Sequence, residues 1–166
     1  MTNEKFYTQR EERANYITHG FGFIMALIAS FVLLKKAGAS GSTNIIIAYG
    51  LFSLGMITCM LASTIYHFES RPKQKSQLRH FDHASIYLLI ATSYSPFTFV
   101  LLWNQGMWGI ILFTLIWTIA IIGIIVSFRK LKKNNHIKTI SYVIMGLVVL
   151  IAFKPLIESA KAAECM

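Results

Sequence analysis

The sequence predicts an all-α protein, a polytopic bundle of transmembrane helices. Hydrophobic residues make up 55% of its 166 residues and charged residues 14%, whereas a soluble domain carries about 25% charged residues. The mean hydropathy is +0.55. The apolar runs are long and continuous, unlike the alternating segments of about ten residues that form membrane β-barrels. Together these observations favour membrane-spanning helices.

Five apolar stretches can cross a bilayer, which takes about 20 residues of helix. The predicted spans are approximately residues 18–34, 44–66, 81–102, 107–128 and 139–156. The last is short, but flanking lysines can extend it by reaching to the interface. The sequence shows no cleavable signal peptide and no separate soluble domain.

The polar N-terminal segment is predicted to be a short surface helix that runs into the first span. Glu12, Asn15 and His19 recur at intervals of three and four, which places them in one helical stripe. Two interpretations stay open. The stripe supports a site inside the bundle, or it is a solvated face that holds the helix at the membrane surface.

The connections follow from glycine and proline positions. Residues 37–43 form a small Gly/Ser-rich turn, and Trp103–Gly106 a tight uncharged turn. Pro72 marks the end of the second helix, and a basic loop is predicted from there to Phe81. Pro96 interrupts the third span and predicts a kink, with neighbouring hydroxyls available to the freed backbone groups.

Gly50 and Gly55 are predicted to let helices approach closely. Cys59 is interpreted as a packed thiol inside a span. It and Cys165 are the chain's two cysteines, and they give no disulfide framework.

The distribution of Lys and Arg predicts the orientation of the bundle. The N-terminal segment and the connections after spans 2 and 4 together hold 12 of these residues, and the other side holds 4. Short loops rich in Lys and Arg stay in the cytoplasm. We therefore predict a multi-pass protein of the cell membrane with a cytoplasmic N-terminus. The net charge of +9 is assigned to topology and not to nucleic-acid binding.

Ionisable side chains gather where span 2 ends and span 3 begins. Ser63 and His67 share a helix face because they are four residues apart. An antiparallel span 3 would bring Asp82 back beside His67, with His83 next to it. Polar groups at membrane depth are costly, so they mark a candidate functional site.

These side chains also have purely structural explanations. A lone histidine at a helix end is often interfacial or hydrogen-bonded, which applies to His67, His80 and His83. Asp82 would be stabilised by a helix N-terminus without any metal, and His83 could simply pair with it. On the residues alone, a zinc site with His67 as ligand and Asp82 beside its water stays one alternative.

Three linked motifs resemble the haemolysin III family, part of the progestin and adipoQ receptor superfamily, which includes adiponectin receptors and is related to alkaline ceramidases. They are residues 11–20 (EERANYITHG), 63–67 (STIYH) and 81–96 (FDHASIYLLIATSYSP). Their order and span positions agree with the family over almost the whole chain. The resemblance implies a seven-helix membrane protein with a cytoplasmic N-terminus.

The resemblance also implies a zinc ion held by one histidine of helix 2 and two of an HxxxH motif in helix 7. His67 matches the helix 2 ligand, Asp82 the carboxylate near the zinc water, and Ser63 the helix 2 serine. The chain has five predicted spans and no HxxxH. We therefore expect a C-terminally truncated member with an incomplete zinc site. His19, His80 or His83 could replace the other ligands only by rearrangement.

Three functions follow from these expectations. The first is a zinc-dependent hydrolase of lipid amide or ester bonds, impaired here. The second is a cytolytic, pore-forming protein, and the third a non-catalytic remnant or receptor-like module. The expected partners are membrane lipids, a lipid substrate and further copies of the chain. The predicted catalytic residues are Asp82 and Ser63, the predicted metal ligand is His67, and the predicted supporting residues are Glu12, Asn15, His19 and His83.

Overall fold

A computed structural model describes residues 7–129 and 135–164, without the side chains of residues 135–137 and 163–164. Over these ranges the chain folds into helices and short connections. The helices are α1 (Gln9–Ala39), α2 (Thr43–Phe68), α3 (Pro72–Ser93), α4 (Trp108–Phe128), α5 (Asn135–Leu147) and α6 (Phe153–Glu164). A π-helical turn, Phe97–Leu101, extends α3, and a 3-10 segment, Val148–Ala152, joins α5 to α6.

Five helical segments of the described chain are long and apolar enough to cross a membrane. They are Gln9–Ala39, Thr43–Phe68, Pro72–Leu101, Trp108–Phe128 and Lys138–Ala162. Each contains or largely overlaps one predicted span. The predicted all-α fold with five spans is therefore confirmed.

The N-terminal surface helix and the first span are one continuous helix. Thr8 caps it, because its hydroxyl accepts a hydrogen bond from the Glu11 backbone N–H while the Glu11 carboxylate accepts one from the Thr8 N–H. This reciprocal capping box satisfies two backbone donors that a helix start leaves unpaired. Glu12 is the residue after Glu11, so the capped first turn of α1 also fixes the position of Glu12 against the bundle.

The predicted basic loop between spans 2 and 3 is wrong. Only Glu69–Arg71 connect the helices, and Pro72 is the first residue of α3. Proline suits that position, because the first N–H of a helix has no intrahelical partner and the ring fixes a helical φ. The basic residues assigned to a loop therefore lie on the first turns of α3.

Neighbouring helices pack in chain order, α1 on α2, α2 on α3 and α3 on α4, while α5 packs on α3 and α4. A buried apolar cluster fills the α3–α4–α5 interface. Gly55 permits the close approach of α2 and α3, since a Cβ there would overlap the Thr92 side chain. A Cβ added at Gly50 would meet no atom within 4 Å, so the predicted packing role applies to Gly55 alone.

The predicted interruption at Pro96 is present and is matched by a break in α5. Beyond Pro96 the backbone bonding changes, and the Leu102 N–H donates to the Phe97 carbonyl at 2.8 Å. The Tyr94 hydroxyl donates to the Met145 carbonyl at 2.6 Å and accepts from the Val149 N–H at 3.0 Å. It therefore occupies the place of a helical hydrogen bond of α5, an insertion that breaks helices.

Candidate functional site at the basic end of the bundle

The candidate site lies at the end of the bundle where α1, α3 and α5 begin and α2 and α4 end. We call it the basic end, because eight described Lys and Arg residues lie in the helix ends and connections that meet there: Arg10, Arg13, Arg71, Lys73, Lys75, Arg79, Arg129 and Lys138. The short α2–α3 connection and the capped start of α1 bring the first two motifs and the start of the third to this end.

His67 is the residue on which this end of the bundle converges. It lies in the last turn of α2 and is buried. Its Nδ1 is 2.8 Å from a carboxylate oxygen of Glu12 in α1. Because a carboxylate only accepts hydrogen bonds, Nδ1 carries the proton and Nε2 is the nitrogen left for another partner.

Glu12 also forms an ion pair with Lys75. Its second carboxylate oxygen is 3.0 Å from the Lys75 ammonium, a contact made by charge rather than by an aligned hydrogen bond. Lys75 is buried, donates to the backbone carbonyls of Tyr66 and Glu69 at 3.1 and 3.0 Å, and lies over the Tyr66 ring. Glu12 therefore joins α1, α2 and α3 through one carboxylate.

This network decides between the two interpretations of the N-terminal stripe. Glu12 is bound to His67, and the His19 ring stacks parallel on the His67 ring with centroids 5.7 Å apart. The stripe therefore faces α2, and the solvated-face alternative is wrong for these two residues. Asn15 is half-buried, and its side chain has no hydrogen bond within the described chain.

A polar cavity of about 400 Å³ opens beside His67. Side chains from α2, α3, α5 and the segment before α1 line it: Tyr7, Tyr66, His67, Arg79, Asp82, His83, Ile86, Lys138, Thr139 and Tyr142. The structure thus brings His67, Asp82 and His83 to one cavity, as the antiparallel arrangement of α2 and α3 predicts. Ser63 is buried one turn before His67 and does not line the cavity.

Asp82 and His83 differ in how they are held. Within the described chain the Asp82 side chain has no hydrogen bond or ion pair. His83 Nδ1 donates to the Arg79 carbonyl at 2.6 Å, and the pairing of His83 with Asp82 weighed above is not observed. The carboxylate of Asp82 is therefore available to a water molecule or a ligand in the cavity.

The remaining histidine of α3 points elsewhere. His80 Nδ1 donates to the Ser127 carbonyl at the end of α4, at 2.6 Å, and its ring stacks on Phe128. His80 is therefore a packing residue between α3 and α4.

The described residues contain no cluster of three His, Cys, Asp or Glu side chains able to hold a metal.

The α2–α3 connection is fixed by Glu69 and Arg71. The Glu69 carboxylate accepts hydrogen bonds from the Arg71 side chain at 2.7 and 2.9 Å and from its backbone N–H at 2.8 Å. These bonds lower the pKa of Glu69 to about 2. Their contribution to stability is present above the unfolded pKa of about 4.3 and is lost as the pH falls toward 2.

Sequence reasoning missed Lys75, Arg79 and Lys138, which it left in basic loops. One signal could have found the first two. With Pro72 read as a helix start, Lys75, Arg79 and Asp82 fall at intervals of four and three and share a helix face.

Comparisons with known proteins agree with the motifs. Residues 7–166 match the family model described as haemolysin-III related. The chain is 37% identical to hemolysin-3 of Bacillus cereus over 150 residues, which cover 90% of this chain and 68% of that protein. It is 35% identical to the hemolysin-3 homolog of Bacillus subtilis (strain 168) over 157 residues, covering 95% of this chain and 73% of that protein. The chain therefore belongs to the haemolysin III-related family.

Proposed function

We propose that this chain carries part of the active site of a zinc-dependent hydrolase that cleaves an amide or ester bond of a lipid. His67 is the zinc ligand that the described residues would supply. The observation that supports this most is the hydrogen bond between His67 Nδ1 and the Glu12 carboxylate. Metal-binding histidines commonly donate their other ring N–H to a carboxylate, which fixes the ring orientation.

The described residues do not fit a complete zinc centre. A catalytic zinc takes three protein ligands and a water, and no such group of side chains is placed together in residues 7–129 and 135–164. We therefore expect weak zinc binding and impaired hydrolysis from the 166 residues given. Further ligands would have to come from an HxxxH segment of the kind that the resemblance implies.

The residues of the polar cavity have separate roles in this proposal. Asp82 accepts a hydrogen bond from a water molecule and orients it toward the carbonyl carbon of the lipid. Glu12 holds the His67 ring, and Lys75 holds Glu12 in turn. Ser63 lies one helical turn before His67 on the same face of α2 and helps to position the His67 side chain.

We also propose that the basic end faces the cytoplasm in the cell membrane. The 12 to 4 division of Lys and Arg residues supports this orientation through the positive-inside rule. The polar cavity then opens toward the inner leaflet.

The test is a hydrolysis assay on this chain extended by the last two helices of a haemolysin III relative that carries HxxxH. In mild detergent with zinc and fluorescent lipid amides and esters, the extended chain should release the labelled product. His67→Ala and Asp82→Asn should lower the rate about a hundredfold or more. His80→Ala, whose ring faces α4, is the matched control and should keep the rate. An extended chain that holds one equivalent of zinc but cleaves neither lipid class would contradict the proposal.

Cytolysis is the second candidate, and the names of the two hemolysin-3 relatives support it. Liposomes loaded with a self-quenched dye test it. Release by the purified chain at nanomolar concentration would favour a pore-forming function over the hydrolase.

A further inference from the structure

Hydroxyl-bearing side chains of the described residues line the polar cavity: Tyr7, Tyr66, Thr139 and Tyr142. Tyr142 donates to the His83 carbonyl at 3.1 Å, and Thr139 already has a partner. Tyr7 is 53% exposed, so its hydroxyl is not confined to the cavity. Tyr66 differs from these three, because it is only 6% exposed and its hydroxyl has no hydrogen bond within the described chain.

The packed ring of Tyr66 directs that hydroxyl to the cavity. The ring lies against the His67 ring, with centroids 4.6 Å apart, and the Lys75 ammonium is 4.9 Å from the Tyr66 centroid. The hydroxyl oxygen keeps an accessible surface although the residue is buried, and Tyr66 lines the cavity. The Asp82 carboxylate lies within electrostatic range of it. A buried tyrosine O–H usually finds a hydrogen-bond partner, and the space for one is in the cavity.

An O–H in this place suits the carbonyl oxygen of an amide or ester. A phenol hydroxyl can donate one hydrogen bond. A donor at the carbonyl oxygen stabilises the negative charge that develops there when water adds to the carbonyl carbon. Ser63, the hydroxyl that the sequence predicts to be catalytic, does not line the cavity, so Tyr66 is better placed for this contact.

We propose that Tyr66 is a further catalytic residue, whose hydroxyl donates a hydrogen bond to the scissile carbonyl oxygen of the lipid. This role rests on the proposed function and adds an oxyanion donor to the same cavity. The water oxygen bonds to the carbonyl carbon, a water proton passes to Asp82, and the π electron pair moves onto the oxygen that Tyr66 holds. When the carbonyl re-forms, the bond to the leaving amine or alcohol breaks and that group takes the proton from Asp82. Tyr66 keeps its own proton throughout.

The first measurement needs neither zinc nor turnover. A long-chain fatty amide, isotope-labelled at its carbonyl carbon, is bound to the purified 166-residue chain in mild detergent, and its carbonyl stretch is recorded by infrared spectroscopy. A hydrogen bond to the carbonyl oxygen lowers the stretching frequency. At equal bound amide, the band should therefore lie lower with the unaltered chain than with Tyr66→Phe. Tyr87→Phe is the matched control, because its hydroxyl contacts Ser141 at 2.6 Å outside the cavity, and it should keep the low band.

The second measurement uses the extended chain with zinc from the hydrolysis assay. Tyr66→Phe should lower kcat about a hundredfold, the loss typical of one oxyanion donor. KM should change little, because the bond strengthens mainly as charge develops in the transition state. Tyr87→Phe should keep kcat, and circular dichroism shows whether each variant is folded.

Two outcomes would overturn the role of Tyr66. One is an infrared band at the same frequency with the unaltered chain and with Tyr66→Phe. The other is a loss of kcat no greater in Tyr66→Phe than in Tyr87→Phe. A low band from an extended chain that cleaves no lipid would overturn the proposed function instead and would leave Tyr66 as a carbonyl-binding residue.

Discussion

The buried carboxylate of Glu12 offers the sharpest test of how the basic end is held together. Replacing it by glutamine, Glu12→Gln, keeps the shape but removes the charge that Lys75 faces at 3.0 Å and His67 at 2.8 Å. Removing one partner of a buried ion pair costs about 3–5 kcal/mol, because the other charge stays buried without compensation. Lys75 keeps two backbone carbonyls as acceptors, so we expect a loss of about 3 kcal/mol, the lower end of that range.

The assay is equilibrium unfolding in mild detergent, followed by circular dichroism. The matched control is Glu158→Gln, because Glu158 is exposed and its contact with Lys154 is 3.9 Å long. An exposed pair of this kind contributes about 0–0.5 kcal/mol. In a double variant, Lys75→Met should recover at least half of the loss caused by Glu12→Gln, since no buried charge remains.

This reasoning would be refuted if Glu12→Gln lowered the free energy of unfolding no more than Glu158→Gln does. The carboxylate would then be solvated in the membrane-bound protein. The hydrogen bond between His67 Nδ1 and the Glu12 carboxylate would then contribute little to stability.

Other predictions concern packing, the helix breaks, topology and assembly. Gly55→Ala should cost about 1–3 kcal/mol by overpacking against Thr92, whereas Gly50→Ala should be neutral or stabilising in the same unfolding assay; equal effects would be inconsistent with the α2–α3 contact. Tyr94→Phe should cost about 1 kcal/mol and lower the unfolding midpoint, and an unchanged midpoint would argue against the bridge to α5. Reporter fusions should place a tag after Arg129 in the cytoplasm and one after Gln105 outside. The reverse result would contradict the predicted orientation of the bundle. Cross-linking in membranes should capture homo-oligomers, and a strictly monomeric, long-lived protein would speak against them.

Much of the fold could be predicted because the membrane imposes it. Length and apolarity alone identify five spans, and a backbone that must satisfy its own hydrogen bonds in lipid has to be helical. The error at Pro72 came from a local ambiguity, since proline ends one helix and begins another with equal ease. That error left Lys75 in a loop and concealed its ion pair with Glu12.

Contacts between helices could be predicted from the sequence only where a short connection imposes them. Spacing placed Ser63 and His67 on one helix face, because one helix determines that relation. The short connection between spans 2 and 3 predicted that Asp82 would return beside His67, and both residues line the polar cavity. No local rule chooses Gly55 over Gly50, or sends the Tyr94 hydroxyl to α5 instead of to its own helix. Those choices depend on how the helices rotate when they pack.

Metal content tests the central claim most directly. The 166-residue chain, purified without chelators, should hold well under one equivalent of zinc by mass spectrometry, and binding of added zinc should weaken at acid pH because ligand nitrogens must be unprotonated. The chain extended by an HxxxH helix pair should hold one equivalent, and His67→Ala should abolish it. Stoichiometric, chelator-resistant zinc in the 166 residues alone would contradict the account and would point to His19 or His83 as recruited ligands.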